Sequence, residues 1–242
     1  MASIAYLGVT MKNKSHLIPF LIINLFLAIS TAIVTVITLT QGTVAGQVDT
    51  SVTNSLFYIA TFTVLSNILL GIVAVFASVA AIVALKRHVK LPNFVPPLYL
   101  VATSATMLTF LTVVLFLAPL RAASGRNYFE MLMGPMFFFH FFNPVLAAGT
   151  FIFLTGDSSL TLRHATLAII PPALYAIPYI LNVVVLKTWI DFYNFTFGGN
   201  NLLVLPVFLV ICAIIFGIAS LLIFLRNRRI KTCSRRIKSC SK

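Results

Sequence analysis

A histidine stands among five phenylalanines in Phe137-Phe138-Phe139-His140-Phe141-Phe142, followed by Asn143-Pro144, in a stretch apolar enough to cross a bilayer. An ionisable side chain in hydrocarbon calls for a partner or a task, because water is scarce there and desolvation is expensive. Burial disfavours the imidazolium, so His140 is expected to be neutral and able to accept a proton. Pro144 lacks an N–H, and its ring clashes with the carbonyl four residues back, that of His140. A helix here is therefore expected to bend at the histidine. The alternative is a histidine that only hydrogen-bonds across helices.

A second polar group lies in Phe62-Thr63-Val64-Leu65-Ser66-Asn67. At helical spacing, Asn67 is one turn from Thr63 on the same face, and Ser66 is its neighbour at three residues. A membrane threonine commonly bonds the carbonyl four residues back in its own helix. The adjacent serine and asparagine add a functional reading. Asn67, Asn143 and Asn182 need partners in hydrocarbon, and serve as interhelical bonds, as contacts to a substrate carbonyl or as donors to an oxyanion. Asp191, between Trp189 and Tyr193, reads either as a wetted loop carboxylate or as a support for the histidine. The aromatic pair around it suits a membrane interface whatever the function.

These residues belong to a chain that is 60% hydrophobic and 9% charged over 242 residues, with a mean hydropathy of +1.05. Soluble domains carry about 25% charged residues, so the composition predicts an integral membrane protein. The apolar runs are continuous rather than alternating, which argues for helices over barrel strands. Six spans are predicted: Leu17–Thr40, Leu56–Leu85, Pro96–Leu117, Leu132–Leu154, His164–Leu186 and Leu202–Leu225. The first is too long for a cleaved signal peptide and is read as a retained span. The expectation is an all-α polytopic fold, with one transmembrane domain over residues 1–225 and a basic tail over 226–242.

The net charge of +13 is concentrated in that tail, which holds eight of the seventeen Lys and Arg. A juxtamembrane basic cluster marks the cytoplasmic side and attracts anionic lipid head groups. Nucleic acid is not expected, because no aromatic or motif context accompanies the charge. Counted on alternate sides of six spans, fourteen Lys and Arg fall on one side and three on the other, which places both termini in the cytoplasm. Cys212, Cys233 and Cys240 have no metal or redox spacing, and no metal or other cofactor is expected.

In this topology the second and fourth spans start on the outer side. Thr63 and His140 should then share a depth of roughly 10 Å below the outer surface. Tyr179 and Asn182, late in the fifth span, approach the same level. A polar pocket open to the outer leaflet is the expected result.

Taken together, Phe62-Thr63 with Ser66-Asn67, His140 with Pro144, Pro172, Tyr175 and Tyr179, and Trp189-Ile190-Asp191-Phe192-Tyr193 resemble the androgen-induced and androgen-dependent multi-pass membrane proteins and their bacterial six-helix relatives. The likeness covers the second to fifth spans, about half the chain. The animal members are threonine hydrolases of fatty-acid esters of hydroxy fatty acids. They use one intramembrane threonine and one histidine, and the resemblance implies that Thr63 is the nucleophile and His140 its base, with a lipid ester as substrate. Two rival functions share the same residues. One is a lipid or small-molecule carrier whose polar pocket binds without cleaving, and the other is a structural membrane subunit.

Overall fold

The computed structural model describes residues 2–41, 43–44, 47–48, 60–156, 158–191 and 193–240. The predicted start of the second span at Leu56 lies outside them, as do Asp157 and Phe192. Among the described residues the fold is helical apart from one antiparallel pair, β1 (Thr43–Val44) with β2 (Gln47–Val48).

The long elements are α1 (Ala2–Gln41), α2 (Phe62–Arg87), α3 (Val95–Thr112), α4 (Asn143–Leu154), α5 (Ile170–Tyr179) and α6 (Val204–Cys240). Helix α3 continues through a π turn, Val113–Leu117, into Ala118–Ala123. Helix α4 is entered through a π turn at Phe138–Phe142, and α5 ends in another at Ile180–Val185.

Five of these assemblies are long and apolar enough to cross a membrane: His16–Thr40, Phe62–Arg87, Val95–Ala123, Leu162–Val185 and Asn201–Thr232. The fourth predicted span is shorter, Phe138–Leu154. Gly134, held at φ +58, and Pro135 break the chain ahead of it. The expected first helical turn, residues 132–135, does not form: Leu132 closes a 3-10 turn, Tyr128–Leu132, and the helix begins at Met136. The sixth span differs in the other direction, since α6 runs without a break into the basic segment as far as Cys240.

The bundle is apolar outside and polar within. Ile22, Phe76, Val79, Leu174, Leu209 and Phe224 are exposed, whereas Asn24, Asn67, Thr103, Ser104, Thr106 and Asn143 are fully buried. That inversion is the packing of a protein whose solvent is lipid. The core runs through Phe20, Leu27, Leu70, Tyr99, Leu100, Phe151 and Ile215, with α3 touching α2, α4 and α6. Helices α1 and α2 approach closest at Gly71, where a Cβ would lie 2.9 Å from Thr31 Cγ2.

One end of the bundle gathers His16, Lys90, Asn93, Thr155, Gly156, Ser158 and Arg229 around a single cleft. There Arg226, fully buried, caps the end of α4. Its Nε donates to Thr155 Oγ1 at 2.9 Å, Nη1 to the Ser158 carbonyl at 2.5 Å and Nη2 to the Gly156 carbonyl at 3.1 Å. The Phe151 ring lies 5.6 Å below the guanidinium. The start of the first span, the loop after α2, the end of α4 and the head of the basic segment therefore share this tail end. The three π turns and the start of α2 fall at the opposite end, by chain direction. Such turns recur at functional sites because they re-aim side chains.

Candidate functional site

Thr61 sets the site by capping α2. Its backbone is extended (φ −79, ψ 142), and its hydroxyl accepts from the Val64 amide at 3.4 Å. Thr63 therefore sits in the first turn of α2, not two turns inside a longer helix. His140 likewise follows closely on its helix start. Both lie nearer the helix ends than the sequence predicts.

Asn67 provides the link between them. Its Nδ2 donates to the Thr63 carbonyl at 2.9 Å and to the Phe139 carbonyl at 3.2 Å. The residue before His140 is thus held within two hydrogen-bond lengths of the Thr63 backbone. The need for this bond comes from Pro144. In the π turn the Asn143 amide donates to the Phe138 carbonyl, and the next amide along would serve Phe139 but belongs to a proline, which has none. The Asn67 side chain supplies the missing donor.

His140 is 2% exposed. Its Nδ1 lies 2.6 Å from the Met131 carbonyl. A carbonyl only accepts, so Nδ1 carries the hydrogen and Nε2 presents its lone pair. This is the tautomer a general base needs.

The Thr63 hydroxyl lies beside the Tyr193 hydroxyl. Among the described residues no hydrogen bond joins it to His140. Tyr193 also accepts from the Phe62 amide at 3.0 Å. Burial pushes its phenol up to about 12, against hydrogen bonds from Thr63 and Phe62 that pull the other way, so it is protonated at neutral pH.

Asp191 holds the loop that delivers Tyr193. Its carboxylate accepts from the Tyr179 hydroxyl, from the Phe195 amide at 2.9 Å and from the Thr196 amide at 2.7 Å. Burial opposes ionisation of Asp191, but the bonds from Thr196, Tyr179 and Phe195 outweigh it and hold the carboxyl below the usual carboxylate range. Tyr193 stacks on Phe195, with ring centroids 5.1 Å apart.

The remaining predicted residues have structural partners. Ser66 Oγ bonds the Thr63 carbonyl at 3.1 Å and Thr109 Oγ1 at 3.0 Å. Asn143 Oδ1 accepts from Ser30 at 3.0 Å. Asn182 donates to the Pro178 carbonyl at 2.8 Å and accepts from Thr188 at 2.8 Å, which ties off the end of the fifth span. Thr109 and Ser30 escape sequence reading of the site, although the spacing Thr103, Thr106, Thr109 marks a polar face on α3.

Thr63 lines a narrow pocket of about 40 Å³ with Phe62, Thr109, Tyr175, Tyr193 and Phe208. His140 is not among its walls. Room of this size suits about two waters or a slim alkyl group. Beyond Phe62 and Tyr175, whose ring centroids are 5.4 Å apart, lies a groove of about 230 Å³ bounded by Leu65, Leu69, Pro171, Leu174 and Pro178. Leu65 and Leu174 are exposed, so this groove opens on the apolar outer surface of the bundle. Among the described residues, no three His, Cys, Asp or Glu side chains converge as metal ligands would. Compared with family models, with curated proteins and with solved structures, the chain matches none.

Proposed function

We propose that this protein is a lipid-ester hydrolase of the cell membrane, with Thr63 as nucleophile and His140 as general base. In this reading Phe138–Leu154 is a sixth span. The excess of Lys and Arg at the tail end supports a cytoplasmic position for both termini, and in that orientation the site opens to the outer leaflet. Anionic head groups contact the basic segment after α6. The acyl chain lies in the lipid-facing groove, and the ester carbonyl passes Phe62 and Tyr175 to reach Thr63.

Thr63 Oγ attacks the carbonyl carbon, the π electrons move to the carbonyl oxygen, and the hydroxyl proton passes to His140 Nε2. Collapse of the tetrahedral intermediate breaks the bond to the alcohol, which leaves with that proton. Water then hydrolyses the acyl-threonine by the same route. No cofactor takes part.

The observation that carries this reading is the Asn67 clamp. It holds the Thr63 and His140 segments together, with His140 in the basic tautomer. The resemblance of the Thr63, His140 and Trp189–Tyr193 motifs to the threonine hydrolases points the same way. A second reading, a carrier that binds lipid without cleaving it, is favoured by one fact: Thr63 shares its pocket with Tyr193 and not with His140.

Turnover of a fluorogenic fatty ester by the purified protein in detergent separates the two. Hydrolysis should fall by roughly 10²- to 10⁴-fold in His140→Ala and vanish in Thr63→Ala. Turnover that survives both substitutions refutes the mechanism. Tight ester binding with no turnover by the unmodified protein selects the carrier.

A further inference from the structure

The first-turn amides of a helix have no partners within it. In α2 the caps take up two of them: the Val64 amide goes to Thr61 Oγ1, and the Leu65 amide to the Thr61 carbonyl at 3.1 Å. The Phe62 and Thr63 amides remain: the Phe62 amide donates to the phenolic oxygen of Tyr193 at 3.0 Å, and the Thr63 amide lies beside that same oxygen. The Thr63 hydroxyl meets the same oxygen.

A second group aims there as well. Tyr175 is 6% exposed. Its hydroxyl faces the Tyr193 oxygen and the Phe62 amide, yet makes no well-formed hydrogen bond. A buried phenolic O–H without a settled acceptor is costly in a low-dielectric interior, and here it sits beside the oxygen that the Phe62 amide already holds.

We propose that the Phe62 and Thr63 amides, joined by the Tyr175 hydroxyl, form the oxyanion hole for the ester that Thr63 attacks, and that the Tyr193 oxygen occupies this hole in the resting protein. Tyr193 is then a stand-in for the carbonyl oxygen of the substrate. Donors fixed on a helix terminus need no reorganisation as charge develops on that oxygen, which is what makes such a hole effective. Substrate entry displaces one hydroxyl, carried on the loop that Asp191 secures. Once Tyr193 withdraws, the Thr63 hydroxyl loses its present neighbour and turns to His140. This inference rests on the hydrolase reading and adds the groups that receive the negative charge.

The test is the rate at which Thr63 of the full-length protein in detergent reacts with an alkyl fluorophosphonate, located by mass spectrometry. In that reaction the Oγ–P bond forms, the P–F bond breaks, fluoride leaves and the hydroxyl proton is taken up by the base. Tyr193→Phe keeps the ring that stacks on Phe195 and removes only the competing oxygen. Labelling should accelerate roughly tenfold, the equivalent of one hydrogen bond. Tyr175→Phe removes a donor to the phosphoryl oxygen and should slow labelling by a similar factor. Labelling of Thr63 that is unchanged or slower in Tyr193→Phe overturns the occupied hole while leaving the hydrolase reading intact. Absence of Thr63 labelling in the unmodified protein and in both variants overturns both.

Discussion

Replacing Asn67 by alanine removes two hydrogen bonds of unequal weight. The Thr63 carbonyl also has the helical amide of residue 67, so loss of the side-chain bond at 2.9 Å matters little there. The Phe139 carbonyl has no such substitute, because its π-turn partner is Pro144 and the Asn143 amide is committed to Phe138. Intramembrane hydrogen bonds average only about 0.6 kcal/mol when the groups find other partners. An orphaned buried acceptor costs about 1–3 kcal/mol. The expected loss for Asn67→Ala is therefore about 2 kcal/mol, a fall of roughly 5 °C in Tm for a chain of this size. Thermal unfolding in detergent measures it, and Pro144→Ala provides the decisive background. An alanine amide at position 144 can serve the Phe139 carbonyl, so Asn67→Ala should cost less than about 1 kcal/mol in that background. Equal costs in the two backgrounds would show that the proline does not create the need for Asn67. Ester turnover should also fall by about 10²-fold in Asn67→Ala, the scale expected when reacting groups drift by 1 Å.

Further outcomes follow from individual contacts. Arg226→Met leaves the Thr155 hydroxyl and the Gly156 and Ser158 carbonyls without the guanidinium, and should destabilise the protein by about 3 kcal/mol; an unfolding free energy unchanged within about 0.5 kcal/mol would contradict the capping role. Gly71→Val should cost about 1–3 kcal/mol by driving its side chain into Thr31, and Thr31→Ala in the same chain should restore part of the loss. Because the Asp191 carboxyl is held below the usual range, its contribution is complete above the unfolded carboxyl value of about 3.9 and disappears only as pH falls through the lower folded value. Amide exchange at Phe195 and Thr196 should stay protected at pH 5 and become fast only in strong acid, and loss of protection with a midpoint above the ordinary carboxyl value would contradict the three-bond staple.

Much of the architecture was legible in composition and periodicity. Continuous apolar runs mark the long membrane helices, because hydropathy is a sum over neighbouring residues and needs no knowledge of their partners. The charge pattern anticipates the shared tail end, where the His16, Lys90, Thr155 and Arg229 segments meet. His140 and Thr63 stand out because polar side chains in hydrocarbon need a reason. The helix starts were not legible. They depend on the Thr61 cap and on Gly134-Pro135, and these moved both residues closer to their helix starts. Arg226 reads from sequence as the head of a solvated tail, yet it is fully buried, since only the fold brings the Gly156 and Ser158 carbonyls that follow α4 to it.

The sequence by itself determined a chain of apolar helices of membrane-crossing length, their order, and which polar side chains, His140 and Thr63 among them, stand within apolar stretches. The tertiary structure alone decided which groups meet: Tyr193 with the amides at the head of α2, Asn67 with the Phe139 carbonyl, and Asp191 with the loop between α5 and α6. The reason is rotational. Each π turn inserts about one residue and swings every later side chain by about 100°, so the face that carries His140 depends on backbone irregularities that no apolar period records. Hydrogen bonds between helices depend on that rotation, whereas burial in lipid depends only on the sum.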